Sequence, residues 1–257
     1  MLNKYSGGKV ESLSSKLKFM ISKSTTSNRA ELQRWLKTVA VKELNSNLKK
    51  VLQVRTIVST KETQNLLDFY YPSSFTFKTI NYTIEEVYKK SDEPTLIQGT
   101  VGQGKSIALR YLCFYELDKG QSIPIFLELR KLRETTSLFE HIRLHLEKLN
   151  LKCSEKLLKF LIKNGFVSLF LDGYDEIKYE YRAYWIEEIE RVTSTYPKVK
   201  ILITSRPNTD IHQIASLNNF DLNPLTDNDR PNFIRKLVSS KDDQIALIKK
   251  LSVAEDG

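Results

Sequence analysis

Hydrophobic positions along the chain change rhythm near residue 72. Upstream, Leu32, Leu36, Ala40, Leu44, Leu48 and Leu52 recur every four residues, with Trp35, Val39 and Val51 beside them. That spacing lines one face of a helix and leaves Lys37, Lys42, Lys49 and Lys50 toward solvent. Residues 29–54 are therefore expected to be helical, with a break near Asn45–Asn47. No glycine or proline interrupts the chain between Gly8 and Pro72. Downstream of residues 70–75, short apolar runs at 95–99, 123–129, 166–173, 200–205 and 220–225 predict strands. The pieces between them, near 104–117, 137–148, 154–164 and 182–195, predict helices. Ser137 and Glu140 have the spacing of a capping box, and Asn164-Gly165 reads as a helix stop. Two more helices are expected over 227–239 and 242–252; Pro231 is compatible with the first of them only within its first turn.

Apolar strands alternating with helices imply an α/β fold, a three-layer parallel sheet with helices on both faces. Three segments follow: a basic helical region over 1–74, a core over 75–222, and the beginning of a helical domain over 223–257.

Charge sharpens this division. The net charge is +9, yet residues 1–61 carry thirteen Lys and Arg against three acids, while the rest is nearly balanced. Aromatic residues are not interleaved with the basic ones, so the segment resembles a solvated helix face more than a nucleic-acid module. No apolar run reaches the roughly 18 residues of a membrane helix, and the first residues lack the apolar core of a secretion signal. Cys113 and Cys153 sit in apolar contexts and read as buried thiols of a reducing compartment, so a cytoplasmic location is expected.

The chemistry concentrates at three strand ends. Residues 99–106 read GTVGQGKS, the pattern of a P-loop. Gly99, Thr100, Val101, Gly102, Gln103, Gly104, Lys105 and Ser106 would wrap a phosphate with backbone N–H groups, the glycines permitting the close approach. The helix that follows adds its N-terminal donors. Lys105 would reach the β- and γ-phosphates, and Ser106 would ligate Mg²⁺. The run SLFLDGYDEI ends a second strand at Asp172, a carboxylate suited to the same cation. Asp175 and Glu176 follow within a turn; either can polarise an attacking water. The run KILITSRP ends a third strand at Arg206, which can sense the terminal phosphate because strand C-termini converge on the ligand crevice of such sheets.

Together these pieces resemble the NACHT family of STAND P-loop NTPases, of ASCE type. LFLDGYDEI carries the small residue after the first Asp and the acidic pair of the NACHT Walker B; ITSRP matches its sensor-1 strand; FDLNPLTDNDRPNFIRKL looks like the start of the following helical domain. The resemblance covers roughly residues 75–240. It implies a switch that binds ATP or GTP with Mg²⁺, rests with ADP, hydrolyses slowly, and self-associates on activation, in antiphage or innate defence. By position, Gly99–Ser106 would hold phosphate, Asp172 the metal, Asp175 or Glu176 would assist hydrolysis, and Arg206 would sense γ-phosphate. Family members normally continue into a winged helix and a repeat-type sensor, so the chain is expected to be a piece of a longer protein or a minimal form. His212 lies too near the third motif to act as the winged-helix histidine.

Two other readings fit the same motifs. One is a nucleic-acid-associated AAA-like ATPase that uses residues 1–61; the other is a module that binds nucleotide without hydrolysing it. A small-molecule kinase is disfavoured by the acidic trio and the lack of an arginine-rich lid.

Overall fold

The computed structural model describes residues 50–54, 63–119, 122–132, 136–149, 151, 154–238 and 240–255. The leucine stripe and most of the basic segment lie outside them. Its last residues are described and are not α-helical: Lys50–Leu52 form a 3-10 turn, and β1 (Gln53–Val54) pairs antiparallel with β2 (Gln64–Asn65). The β-branched Val51 and Val54 favour extended backbone, which works against continuing the helix.

Within the core the expected elements form nearly where the periodicity puts them. β5 (Thr95–Gln98), β6 (Ile123–Glu128), β7 (Val167–Asp172), β8 (Lys200–Ser205) and β9 (Asn218–Leu222) pair in parallel, and β9 begins and ends earlier than the expected 220–225. Two strands were not anticipated: β3 (Ser74–Phe77) and β4 (Ile80–Thr83) form an antiparallel hairpin, and β3 adds antiparallel to β9. The sheet order is β4-β3-β9-β5-β8-β7-β6. β8, which comes after β7 in the chain, lies between β5 and β7.

The described helices are α1 (Leu66–Phe69), α2 (Ile84–Lys89), α3 (Lys105–Lys119), α4 (Leu138–Lys148), α5 (Glu155–Lys163), α6 (Tyr179–Thr195), α7 (Asp229–Leu237) and α8 (Lys241–Glu255). α6 starts at Tyr179 instead of 182. The Ser137 hydroxyl accepts from the Glu140 N–H, but Glu140 turns to Arg143 at 2.5 and 2.8 Å, so only half of the expected capping box forms. Gly165 closes α5 with φ 70°, and Phe166 N–H reaches back to Leu161 O at 2.9 Å. Pro231 is the third residue of α7, within its first turn.

Alternation along the central strands explains the layers. Leu96, Leu169, Leu171, Ile201 and Ile203 join one buried cluster with residues of α4, α5 and α6. Their neighbours Ile97, Phe170, Leu202 and Phe220 join a second cluster with α1, α2 and most of the buried face of α3. Both faces of the sheet are thus covered, and its C-terminal edge is left for polar residues. Cys113 belongs to the second cluster, where burial pushes its thiol pKa far up.

Candidate functional site

β5 delivers the chain into the glycine loop. Gly99 is buried, and its N–H donates to Ser205 O at 3.3 Å, tying the loop to the end of β8. A Cβ on Gly99 would meet Gln103 Oε1 at 2.8 Å, so a larger residue there would push the Gln103 side chain aside. Gly102 and Gly104 adopt φ 75° and 100°, where L side chains are strained. The loop then enters α3, whose first-turn N–H groups lack intrahelical acceptors and face the same space.

Lys105 is folded back along the loop. Its ammonium donates to Gly99 O at 2.7 Å and Thr100 O at 2.8 Å. Burial lowers its pKa, Asp175 opposes that most strongly, and Arg206 adds to it. Gln103 braces the loop from within. Thr100 N–H donates to its Oε1 at 2.7 Å, while its Nε2 donates to Leu222 O at the end of β9. Its side chain therefore serves the loop and not a ligand. Val101 is 70% exposed and borders the same space.

Asp172 ends β7, and the neighbouring β8 supplies its orientation. The Thr204 hydroxyl donates to Asp172 Oδ1 at 2.7 Å and accepts from Gly173 N–H at 2.8 Å. Gly173 has φ 77°, and turns the chain into the 3-10 turn Tyr174–Glu176. Arg182, on α6, clamps that turn through Asp175 O at 2.9 Å and Ile177 O at 3.2 Å.

The two acidic residues after Asp172 have different partners. Asp175 is committed to Arg206: its Oδ2 lies 2.8 Å from Arg206 Nε and its Oδ1 accepts from Arg206 N–H at 3.1 Å. Its side chain is 11% exposed. Glu176 is 43% exposed and meets Arg130 Nη1 at 3.2 Å through Oε2. Arg130 in turn reaches Glu128, which also holds Lys131 and Arg110.

These strand ends enclose one cavity of about 290 Å³, lined by Gly102, Gly104, Lys105, Ser106, Asp172, Asp175, Glu176, Thr204 and Arg206 among others. Every charged or hydroxyl residue expected at the site from motif spacing lines it, except Thr100; Gly99 and Gln103 instead build its floor and brace. Thr204, Arg130 and Arg182 were not anticipated. Thr204 had a visible signal, a polar residue near the end of an apolar strand, but its partners come from the end of the neighbouring β7; Arg130 lies in the turn after β6, where no motif marks it. The donor set suits a hard cation: the exposed Ser106 hydroxyl and an Asp172 carboxylate held by one oxygen. Among the described residues no group of three or more His, Cys, Asp or Glu stands ready for a metal. A cation here would complete its shell with phosphate oxygens and water, as Mg²⁺ does. Among the described residues no helix is long and apolar enough to cross a membrane.

A family model described as the NACHT domain matches residues 93–241. Among solved structures, AMPPCP-bound DnaA from Aquifex aeolicus aligns with a TM-score of 0.42 and 16% identity, covering 64% of this chain and 53% of that one. The chain thus spans about half the length of that protein. No curated protein matches the chain.

Proposed function

Since the chain belongs to the NACHT domain family, a family of P-loop NTPases, we propose that it binds ATP or GTP at the C-terminal edge of the sheet and hydrolyses it slowly, as a signalling switch. The observation that carries this reading is convergence. The glycine loop, Lys105, Ser106, Asp172, Glu176 and Arg206 come from three strand ends and line a single cavity.

The loop amides and the first turn of α3 receive the phosphates. Lys105 exchanges its two carbonyl partners for phosphate oxygens. Ser106 and Asp172 would hold Mg²⁺, which when bound would neutralise charge on the phosphates. Thr204 fixes the Asp172 carboxylate for that task. Between the two acidic candidates, Glu176 is the one that orients water. Asp175 has both oxygens engaged by Arg206, whereas Glu176 Oε1 accepts no hydrogen bond among the described residues. Glu176 takes the water proton as the water oxygen bonds the γ-phosphorus. The bridging P–O bond breaks, leaving nucleoside diphosphate and inorganic phosphate. Asp175 aims Arg206 at the terminal phosphate instead of acting on water. A role in antiphage defence, with self-association on nucleotide exchange, belongs to the same reading, as does residence in the cytoplasm.

Lys105→Ala should weaken binding of a fluorescent ATP analogue by about 100-fold or more, equivalent to about 2.7 kcal/mol, with the circular-dichroism spectrum unchanged. Undiminished affinity in the folded variant would overturn the assignment. The base and hydrolysis are read separately, from the nucleotide that mass analysis finds in purified protein and from phosphate release. If neither the wild type nor Glu176→Gln releases phosphate, the protein binds without hydrolysing; a Glu176→Gln as fast as an active wild type removes Glu176 from the reaction.

A further inference from the structure

Arg130 leaves the end of β6 in the 3-10 turn Leu129–Lys131 and stands between two carboxylates. Its Nη1 lies 3.2 Å from Glu176 Oε2, and its Nη2 lies 3.1 Å from Glu128 Oε2. The two acids are not equally provided for. Glu128 also holds Lys131 at 2.8 Å and Arg110 at 3.4 Å, and its side chain is 19% exposed. Arg110 is itself anchored, stacked over the Phe126 ring at 4.3 Å and donating to Val51 O at 2.8 Å. Glu128 is therefore a fixed post. Glu176, 43% exposed, has Arg130 as its one ion-pair partner among the described residues.

We propose that Arg130 is a positioning residue that stores Glu176: the guanidinium, shared with Glu128, holds the Glu176 carboxylate off the reacting water, and turnover is set by how often it lets go. The inference rests on the reading of Glu176 as the water-orienting group. A carboxylate whose oxygen already accepts from a guanidinium has less to offer a water proton. The pair is exposed on both sides, so it is weak enough to open at each cycle; exposed ion pairs are worth at most about 1 kcal/mol.

Sharing gives the proposal two opposite consequences. Arg130→Gln frees Glu176, and should raise kcat for ATP about two- to fivefold, the population an exposed ion pair commands. Glu128→Gln removes the rival carboxylate, leaves the guanidinium to Glu176, and should lower kcat about twofold or more. Neither change should move the Kd of a non-hydrolysable ATP analogue by more than about twofold, since neither residue lines the phosphate cavity. A merely structural role for the network would lower kcat in both variants or weaken binding in both.

The test measures single-turnover phosphate release, analogue Kd and thermal midpoint for wild type, Arg130→Gln, Glu128→Gln and Glu176→Gln. Opposite shifts in kcat at constant Kd support storage. A slower or unchanged Arg130→Gln that binds normally overturns it, provided Glu176→Gln is slower than wild type; the proposed function then survives. Equal, non-zero turnover in Glu176→Gln and wild type overturns the role of Glu176 and with it the storage, while hydrolysis stands; no phosphate release from any variant overturns the hydrolytic reading as well. If Arg130→Gln fails to fold, Arg130→Lys, which keeps the charge but loses the two-pronged grip, carries the same expectation of a faster kcat.

Discussion

The Thr204 hydroxyl serves two groups at once, donating to Asp172 and accepting from the Gly173 N–H, and it is fully buried. Thr204→Val keeps its shape and removes both bonds. The variant should lose about 1–3 kcal/mol of unfolding free energy, because a buried N–H is left without a partner. Its Mg²⁺-dependent nucleotide affinity should fall as well, while Thr204→Ser stays near wild type; urea melts and titrations with and without Mg²⁺ check both. At this scale the sequence was informative where chemistry demands a residue type at a fixed spacing, as in Gly104-Lys105-Ser106. It was silent on pairing. Nothing in SLFLDGYDEI says that Asp175 is engaged by Arg206 and Glu176 by Arg130, because those partners sit at the ends of other strands and only the folded sheet brings them near.

Among the described elements, the central strands β5 to β8 were legible almost to the residue, because burial on both faces forces long apolar runs. The β3–β4 hairpin was not. Ser74–Phe77 and Ile80–Thr83 do alternate polar and apolar residues, but each run is only four residues long and much of the hairpin is exposed at the sheet edge. Its turn also lacks the usual punctuation: Lys78 and Thr79 adopt φ 49° and 71°, a two-residue turn that glycine or asparagine would occupy without strain. Lys78→Asn combined with Thr79→Gly should therefore stabilise the protein by about 0.5–1 kcal/mol in denaturant melts. Loss of stability would show that the Lys78 ammonium over the Phe77 ring, 5.2 Å from its centroid, outweighs the backbone cost.

For the molecule as a whole, the layering and five of the nine described strands followed from the apolar runs, but strand order did not, since spatial neighbours such as β5 and β8 are a hundred residues apart. Global stability should also carry a proton signature. Burial, helped by Lys148, lowers the His145 pKa from 6.5 to about 4. The unfolded chain therefore binds the proton first, and stability falls as pH drops from about 6.5 toward 4, by roughly 2–3 kcal/mol at about 1.4 kcal/mol per pKa unit. His145→Gln should flatten urea-melt stabilities across that window. The placement of β8 has a consequence for synthesis. A nascent chain that has emerged only as far as Asp172 already holds the glycine loop and the carboxylate, yet a one-strand gap separates β5 from β7. Residues 200–205 must slot into that gap before a triphosphate has anywhere to dock, so the ability to capture nucleotide on the ribosome would be a late birth certificate for this sheet.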